Sequence, residues 1–199
     1  MNAMFEDRRL TARQAELLDA LVKLVLAQGF SRFTLDDVAA ELNCSKRTLY
    51  ALAHSKEQLA TTAVRHFFRG ATDQVETAIA GTRSPARRVI RYLEAVAEAL
   101  LPASLAFRAD VATFAPTREI YEANTAAAAQ RVRRLIDEGT RVGAFRNVKT
   151  DFVAEVITAT MRRIGSGDVQ RSTGLSDAEA YTELARLVVA AVRRMPNLP

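Results

Sequence analysis

The run Ser45-Lys46-Arg47-Thr48-Leu49-Tyr50 sets five polar side chains around a single leucine. These residue types suit recognition rather than bond-making. Arg47 can donate two parallel hydrogen bonds to O6 and N7 of a guanine, the pairing by which base edges are read in the major groove. Leu49 would lock the back of such an element against a core while its polar N-terminal face stays free. No nucleophile, base and orienting group stand together anywhere in the chain, so an enzyme is not expected. The two histidines, His54 and His66, lie in or near this same region, and His66 beside Phe67-Phe68 suits packing or a hydrogen bond. With Cys44 the only cysteine, neither an internal disulfide nor a cysteine-rich metal site can form. No metal and no cofactor are expected.

The elements that must hold this run are marked by helix caps. Ser or Thr followed three residues later by an acid or amide signals a helix start, and the chain uses the signal repeatedly. Thr11 with Gln14 opens a first helix that Gly29 ends, with Leu17, Leu21, Leu24 and Val25 on one face. Thr34 with Asp37 opens a short second helix carrying Leu35, Val38, Ala39 and Leu42 at helical spacing. Ser45 caps a third, and Ser55 with Gln58 opens a fourth running to about Gly81. Two short helices joined by a tight turn, the second opening on a cap and two cations, have the grammar of a helix-turn-helix.

Further along, Ser84-Pro85 begins a helix to about Leu101, and another follows from about Ala103 to Phe114. Pro116 introduces a longer one ending near Gly139. Residues 139–149 read as a loop with a buried Phe145. Thr150-Asp151 opens a helix to about Ile164, glycines 165, 167 and 174 bracket a connection, and Ser176 with Glu179 caps a last helix ending near Met195. No strand-like alternation or internal repeat interrupts this pattern. The fold class expected is all-α, with roughly nine helices.

Composition agrees with that class. Among 199 residues, 49% are hydrophobic and 26% charged, which is ordinary for a globular protein with a substantial core. The net charge of +5 invites a polyanion without establishing one. The first residues, MNAMFEDRRLTAR, have no apolar signal-peptide core, and no stretch reaches eighteen apolar residues. The expected location is cytoplasmic, with no membrane partner.

The pattern GF-x-x-x-T-L-x-x-V-A-x-x-L-x-x-S-K-x-T-L-Y over residues 29–50, followed by SKEQL at 55–59, resembles the DNA-binding domain of the TetR family of transcriptional regulators. The resemblance implies a helix-turn-helix domain over 1–55, with the motif at 33–52, and a helical ligand-binding and dimerisation domain over 56–199. By matching position, Thr34 would contact phosphate at a helix N-terminus. Lys46 and Tyr50 would touch backbone or bases, Arg47 and Thr48 would face the major groove, and Lys56 would hold a phosphate. Plainer readings stand beside these: Thr34 and Ser45 as caps only, Lys56 as a solvated cation, Tyr50 as a half-buried core residue. The sequence departs from the family at Ala51-Leu52-Ala53, where a polar pair and a phenylalanine are usual, with Leu52 left to supply the packing.

The resemblance further implies double-stranded DNA with a palindromic operator, a small-molecule effector and a homodimer. A pocket for the effector would draw on Tyr92, Phe107, Phe114, Tyr121 and Met161. A dimer interface would draw on Phe152, Val156, Met161, Tyr181, Leu184, Val188 and Ala191, although these stripes could instead close the subunit's own core. Asp110, on the same helical face as Phe107 and Phe114, reads either as a buried anchor for a cation or as a surface acid. The function expected is a ligand-responsive repressor. The alternative is a scaffold of this kind acting as an architectural DNA-binding or protein-interaction module without induction.

Overall fold

A computed structural model of the chain describes residues 10–194; Met1–Arg9 and Met195 onward lie outside it. Among the described residues ten helices follow one another: α1 (Ala12–Gln28), α2 (Leu35–Glu41), α3 (Lys46–Tyr50), α4 (Lys56–Ile79), α5 (Pro85–Leu100), α6 (Leu105–Thr113), α7 (Ala115–Arg141), α8 (Thr150–Gly165), α9 (Asp168–Thr173) and α10 (Asp177–Val192). The fold is all-α, and its β geometry among the described residues is a lone bridge between Phe145 and Arg193.

The caps act as the sequence predicts. Thr11, Thr34 and Ser176 each form a full capping box with the residue three positions on. Ser45, Ser55, Ser84 and Ser104 each accept a hydrogen bond from the N3 amide. These contacts satisfy amides that have no partner inside the helix, each contributing about 1 kcal/mol.

Three boundaries differ from expectation. The stretch between Gly167 and Gly174 is not a plain connection but the six-residue α9, both glycines lying in the left-handed region. Six residues are too few to generate a periodic apolar signal. Helix α7 runs past Gly139 to Arg141, because Gly139 is inside the helix for a packing reason: a Cβ there would collide with the Phe145 ring. The last helix ends at Val192, and the expected end near Met195 lies outside the described residues.

Two apolar cores organise the chain. The first joins Leu18, Leu21 and Val25 of α1, Val38 of α2, Leu49 of α3 and Leu59 to Phe68 of α4. Phe107 and Val111 of α6 complete it. The second is built from α5, α7, α8 and α10 together with Val75 and Ile79 from the far end of α4. Helix α4 therefore runs through both cores, and α6 packs with the N-terminal helices although it lies far along the chain.

The second core also corrects the expected interface. Met161, Tyr181, Leu184 and Val188 are all buried within the subunit, so they present no surface to a second copy. Their side chains fill the space between α5, α8 and α10, which is the closing of the subunit's own core. Phe152 (70% exposed), Val156 and Ala191 are on the surface, as is Leu187 (68% exposed) of the same apolar stripe.

The contact between Gly139 and Phe145 can be probed from either side. Phe145→Ala should cost about 3–5 kcal/mol of stability, as expected for emptying a buried aromatic site. Gly139→Ala should destabilise too, although helix propensity alone would favour alanine by about 1 kcal/mol. Urea unfolding midpoints measure both.

Candidate nucleic-acid interface and adjoining cavity

Thr34 ends an extended segment and starts α2. Its hydroxyl accepts from the Asp37 amide and donates to Oδ2 of Asp37 at 2.7 Å, and its own amide donates to the same oxygen at 2.8 Å. Hydrogen bonds from the Thr34 amide and hydroxyl hold the Asp37 carboxyl below its usual range. Helix α2 turns into α3 through Leu42-Asn43-Cys44, where Asn43 takes a positive φ of 47°. Asparagine tolerates that conformation better than most residues, which fits it to the turn. Burial pushes the thiol of the neighbouring half-buried Cys44 up.

Leu49 is 1% exposed and fixes α3 on the first core. Around it, Ser45, Lys46, Arg47 and Tyr50 are exposed and Thr48 is half-buried. Ser45 Oγ and Thr48 Oγ1 are 2.8 Å apart, so the two hydroxyls are shared within the cap. Lys46 Nζ pairs with Asp36 at 2.7 Å, and that hydrogen bond raises its pKa. Both partners are largely exposed, and such pairs contribute little. The ammonium can therefore leave Asp36 for another anion at small cost. Arg47 makes no side-chain hydrogen bond or ion pair among the described residues. Leu52 packs half-buried against the first core and Ala53 is buried, while Ala51 points to solvent.

Lys56 is placed differently from the rest. Its Nζ donates to the Ser31 carbonyl at 2.6 Å, so the cation that sequence reasoning assigned to a phosphate holds the α1–α2 loop. The same loop is gripped from the other side. The Phe30 and Ser31 amides donate to Oδ2 of Asp110 at 2.5 and 2.8 Å, and the Ser31 hydroxyl donates to Oδ1. Burial alone would raise the Asp110 carboxyl. The bonds from Ser31 and Phe30 and the Lys56 charge outweigh it and hold the group below its ordinary value. A Cβ on Gly29, which has φ of 74°, would stand 2.5 Å from Asp110 Oδ2 and 3.2 Å from the Ala106 backbone. The Ser104 amide adds a further link, donating to the Leu26 carbonyl at 2.9 Å. Asp110 is thus a buried-side anchor for the protein's own loop. Its partners lie 79 and 80 residues away, and no local pattern could have announced them.

Helix α6 borders a cavity of about 220 Å³ between α6, α7, α8 and α10. Phe107 and Tyr121 line it, with Phe68, Val111 and Tyr181 completing the apolar wall. A smaller cavity of about 60 Å³ shares Phe68, Leu100, Tyr121 and Tyr181 and adds Tyr92 and Met161. Phe114 lines neither; it stands edge-on to Phe30 with ring centroids 6.0 Å apart, cementing α6 to the end of α1. Tyr121 lies against the last residue of α8, Gly165, where a Cβ would strike its hydroxyl. Among the described residues no His, Cys, Asp or Glu group could hold a metal ion, and no helix is long and apolar enough to cross a membrane.

The helix-turn-helix geometry coincides with a sequence match. Residues 17–63, spanning the end of α1 through the start of α4, match the family model for bacterial regulatory proteins of the tetR family. The helix-turn-helix segment of this chain is thus similar to that of the TetR family. An HTH-type transcriptional regulator of Bacillus subtilis, YvaF, is 47% identical over 51 residues. That segment is 26% of this chain and 26% of YvaF, so the likeness spans about a quarter of the relative's length. Solved structures extend the likeness at the level of fold alone. A protein from Saccharomonospora viridis crystallised with choline has a TM-score of 0.72 and 20% identity, over 92% of this chain and 98% of that one. The fatty acid degradation regulator FadR of Bacillus halodurans has a TM-score of 0.71 and 12% identity, over 92% and 97%.

Asp110 carries the clearest prediction. Its carboxyl is held low, so its stabilisation is present above about pH 4 and is lost as pH falls through the depressed folded value. Asp110→Asn should cost about 1–3 kcal/mol at neutral pH and flatten the acid limb of the stability profile. Gly29→Ala should destabilise by a similar amount through the same contact. Thermal unfolding from pH 3 to 7 reads both.

Proposed function

We propose that the protein is a sequence-specific, DNA-binding transcriptional regulator, acting as a repressor that a small molecule releases from its operator. The observation that carries this reading is α3. Its buried Leu49 anchors a five-residue helix that leaves Lys46 and Arg47 exposed at its N-terminal side and Tyr50 exposed at its C-terminal end. Residues 1–55 would form the DNA-reading unit and 56–199 the effector-binding and dimerising unit. In the reading unit, Arg47 and Thr48 face base edges, while Thr34, Ser45, Lys46 and Tyr50 meet the backbone. Lys56 acts through Ser31 and fixes the loop that leads into α2.

Two copies are needed, because recognition helices about 34–36 Å apart read half-sites one DNA turn apart. Support for a homodimer comes from α8 and α10, which leave Phe152, Val156, Leu187 and Ala191 exposed on adjacent helices. Support for an effector comes from the apolar cavity beside α6 and from the S. viridis neighbour of the same fold, crystallised with choline. Occupancy of the cavity changes operator affinity only through a difference in ligand affinity between the DNA-competent and released states.

Selection of bound sequences from random DNA tests the central claim. An enriched palindrome is expected, and Arg47→Ala should weaken binding to it by about 1–3 kcal/mol and relax one base position. Salt-sensitive binding with no enriched sequence would instead favour an architectural role. Separately, Phe152→Glu combined with Leu187→Glu should shift sedimentation from dimer to monomer while the helical circular dichroism is retained.

A further inference from the structure

The larger cavity has an apolar body and a charged rim. Three arginines, Arg108, Arg118 and Arg162, and two acids, Glu122 and Asp177, line it. Arg108 and Asp177 are bonded to each other, half-buried, and tie α6 to the first turn of α10. Arg118 donates to the Ala112 carbonyl at 3.2 Å. Arg162 has no ion-pair partner among the described residues, and its charge, with those of Arg108 and Asp177, reaches the Tyr121 hydroxyl. The rim thus carries one positive charge in excess.

From this charge balance we infer that the effector is an amphipathic monoanion, an aliphatic carboxylate whose tail lies among Phe68, Phe107 and Tyr121 and whose head meets Arg162 and displaces Asp177 from Arg108. The inference rests on the proposed function, since it names the ligand of that reading. A monoanion brings the rim to neutrality, whereas a monocation would leave it with two charges uncompensated in a half-buried site. A buried carboxylate must be paired, and a guanidinium offers it two parallel hydrogen bonds. A neutral ligand would leave the Arg108–Asp177 pair as it is.

The position of Arg108 gives the ligand a route to α3. Arg108 and Asp110 are two residues apart on α6 and so project to nearly opposite sides of the helix. One side is tied to α10 and the other to the loop that leads into α2. An anion that takes Arg108 releases one of the two ties and lets α6 carry Phe30 and Ser31 with it. The ligand is small, because the cavity falls just below the usual range of about 300–1,000 Å³.

Calorimetric titration of the full chain tests this, using carboxylates of six to twelve carbons, the alcohols of matching length and octyltrimethylammonium. At least one carboxylate should bind at least about tenfold more tightly than its alcohol and than the cation, as one charge-assisted bond provides. Arg162→Gln, on the surface and harmless to folding, should remove that preference while alcohol binding stays within about twofold. Asp177→Asn should tighten carboxylate binding, because the internal competitor is gone; a purely structural ion pair would not give that sign. Equal binding of alcohol, tighter binding of the cation, no heat with any probe, or weakened carboxylate binding by a folded Asp177→Asn protein overturns the inference. Failure to select an operator from random DNA would sink the proposed function and leave these titrations standing.

Discussion

The hydrogen bonds from Phe30 and Ser31 to the Asp110 carboxylate fasten the loop before α2 to α6, a helix from far along the chain that shares the first apolar core. Their strength is of a telling size. Hydrogen bonds to a charged group contribute about 1.5–3 kcal/mol each, a modest share of the roughly 5–15 kcal/mol that keeps a domain folded. Loosening one would not unfold the protein. Coupling between two ligand sites is typically about 1–3 kcal/mol, the same scale. The link is strong enough to hold the loop before α2 in one place and weak enough to be reset. Lys56, gripping the Ser31 carbonyl, doubles that hold from α4.

Much of this architecture was legible in the sequence because helix caps are local. A serine or threonine and an acid or amide three positions later carry the whole signal at α1, α2, α4 and α10, while Ser45 alone marked α3 and Ser84-Pro85 marked α5. Helix ends were harder. Gly139 looked like a terminator and is a packing site for Phe145, a contact set by α7 and the loop beyond it. α9 was too short to show periodicity. The recognition run was legible for the same reason as the caps: its polar residues and single leucine are contiguous.

What the sequence concealed is what depends on distance along the chain. Asp110 carries no mark of its tie to Phe30 and Ser31, nor Arg108 of its bond to Asp177, because each bond is made only once helices from remote segments have packed. Apolar stripes mislead in a related way. On α8 and α10 a wide stripe was visible, but its division between the chain's own core and the exposed surface depends on where α5 lies. Helix α5 claims Tyr181, Leu184 and Val188 and leaves Phe152 and Leu187 outside.

The burial of α3 has an evolutionary consequence. Leu49 is its one buried residue, and Ser45 supplies its cap, while Lys46, Arg47 and Tyr50 contribute little to the core. Substitutions at those exposed positions therefore escape the stability filter that constrains most of the chain. Asp110, Gly29 and Lys56 are under the opposite pressure, each fixed by the others. Under the proposed function, a lineage of such proteins would drift in which base pairs it prefers while the tie between α6 and the loop before α2 stays fixed, so new target sites would be reached without rebuilding the rest of the fold.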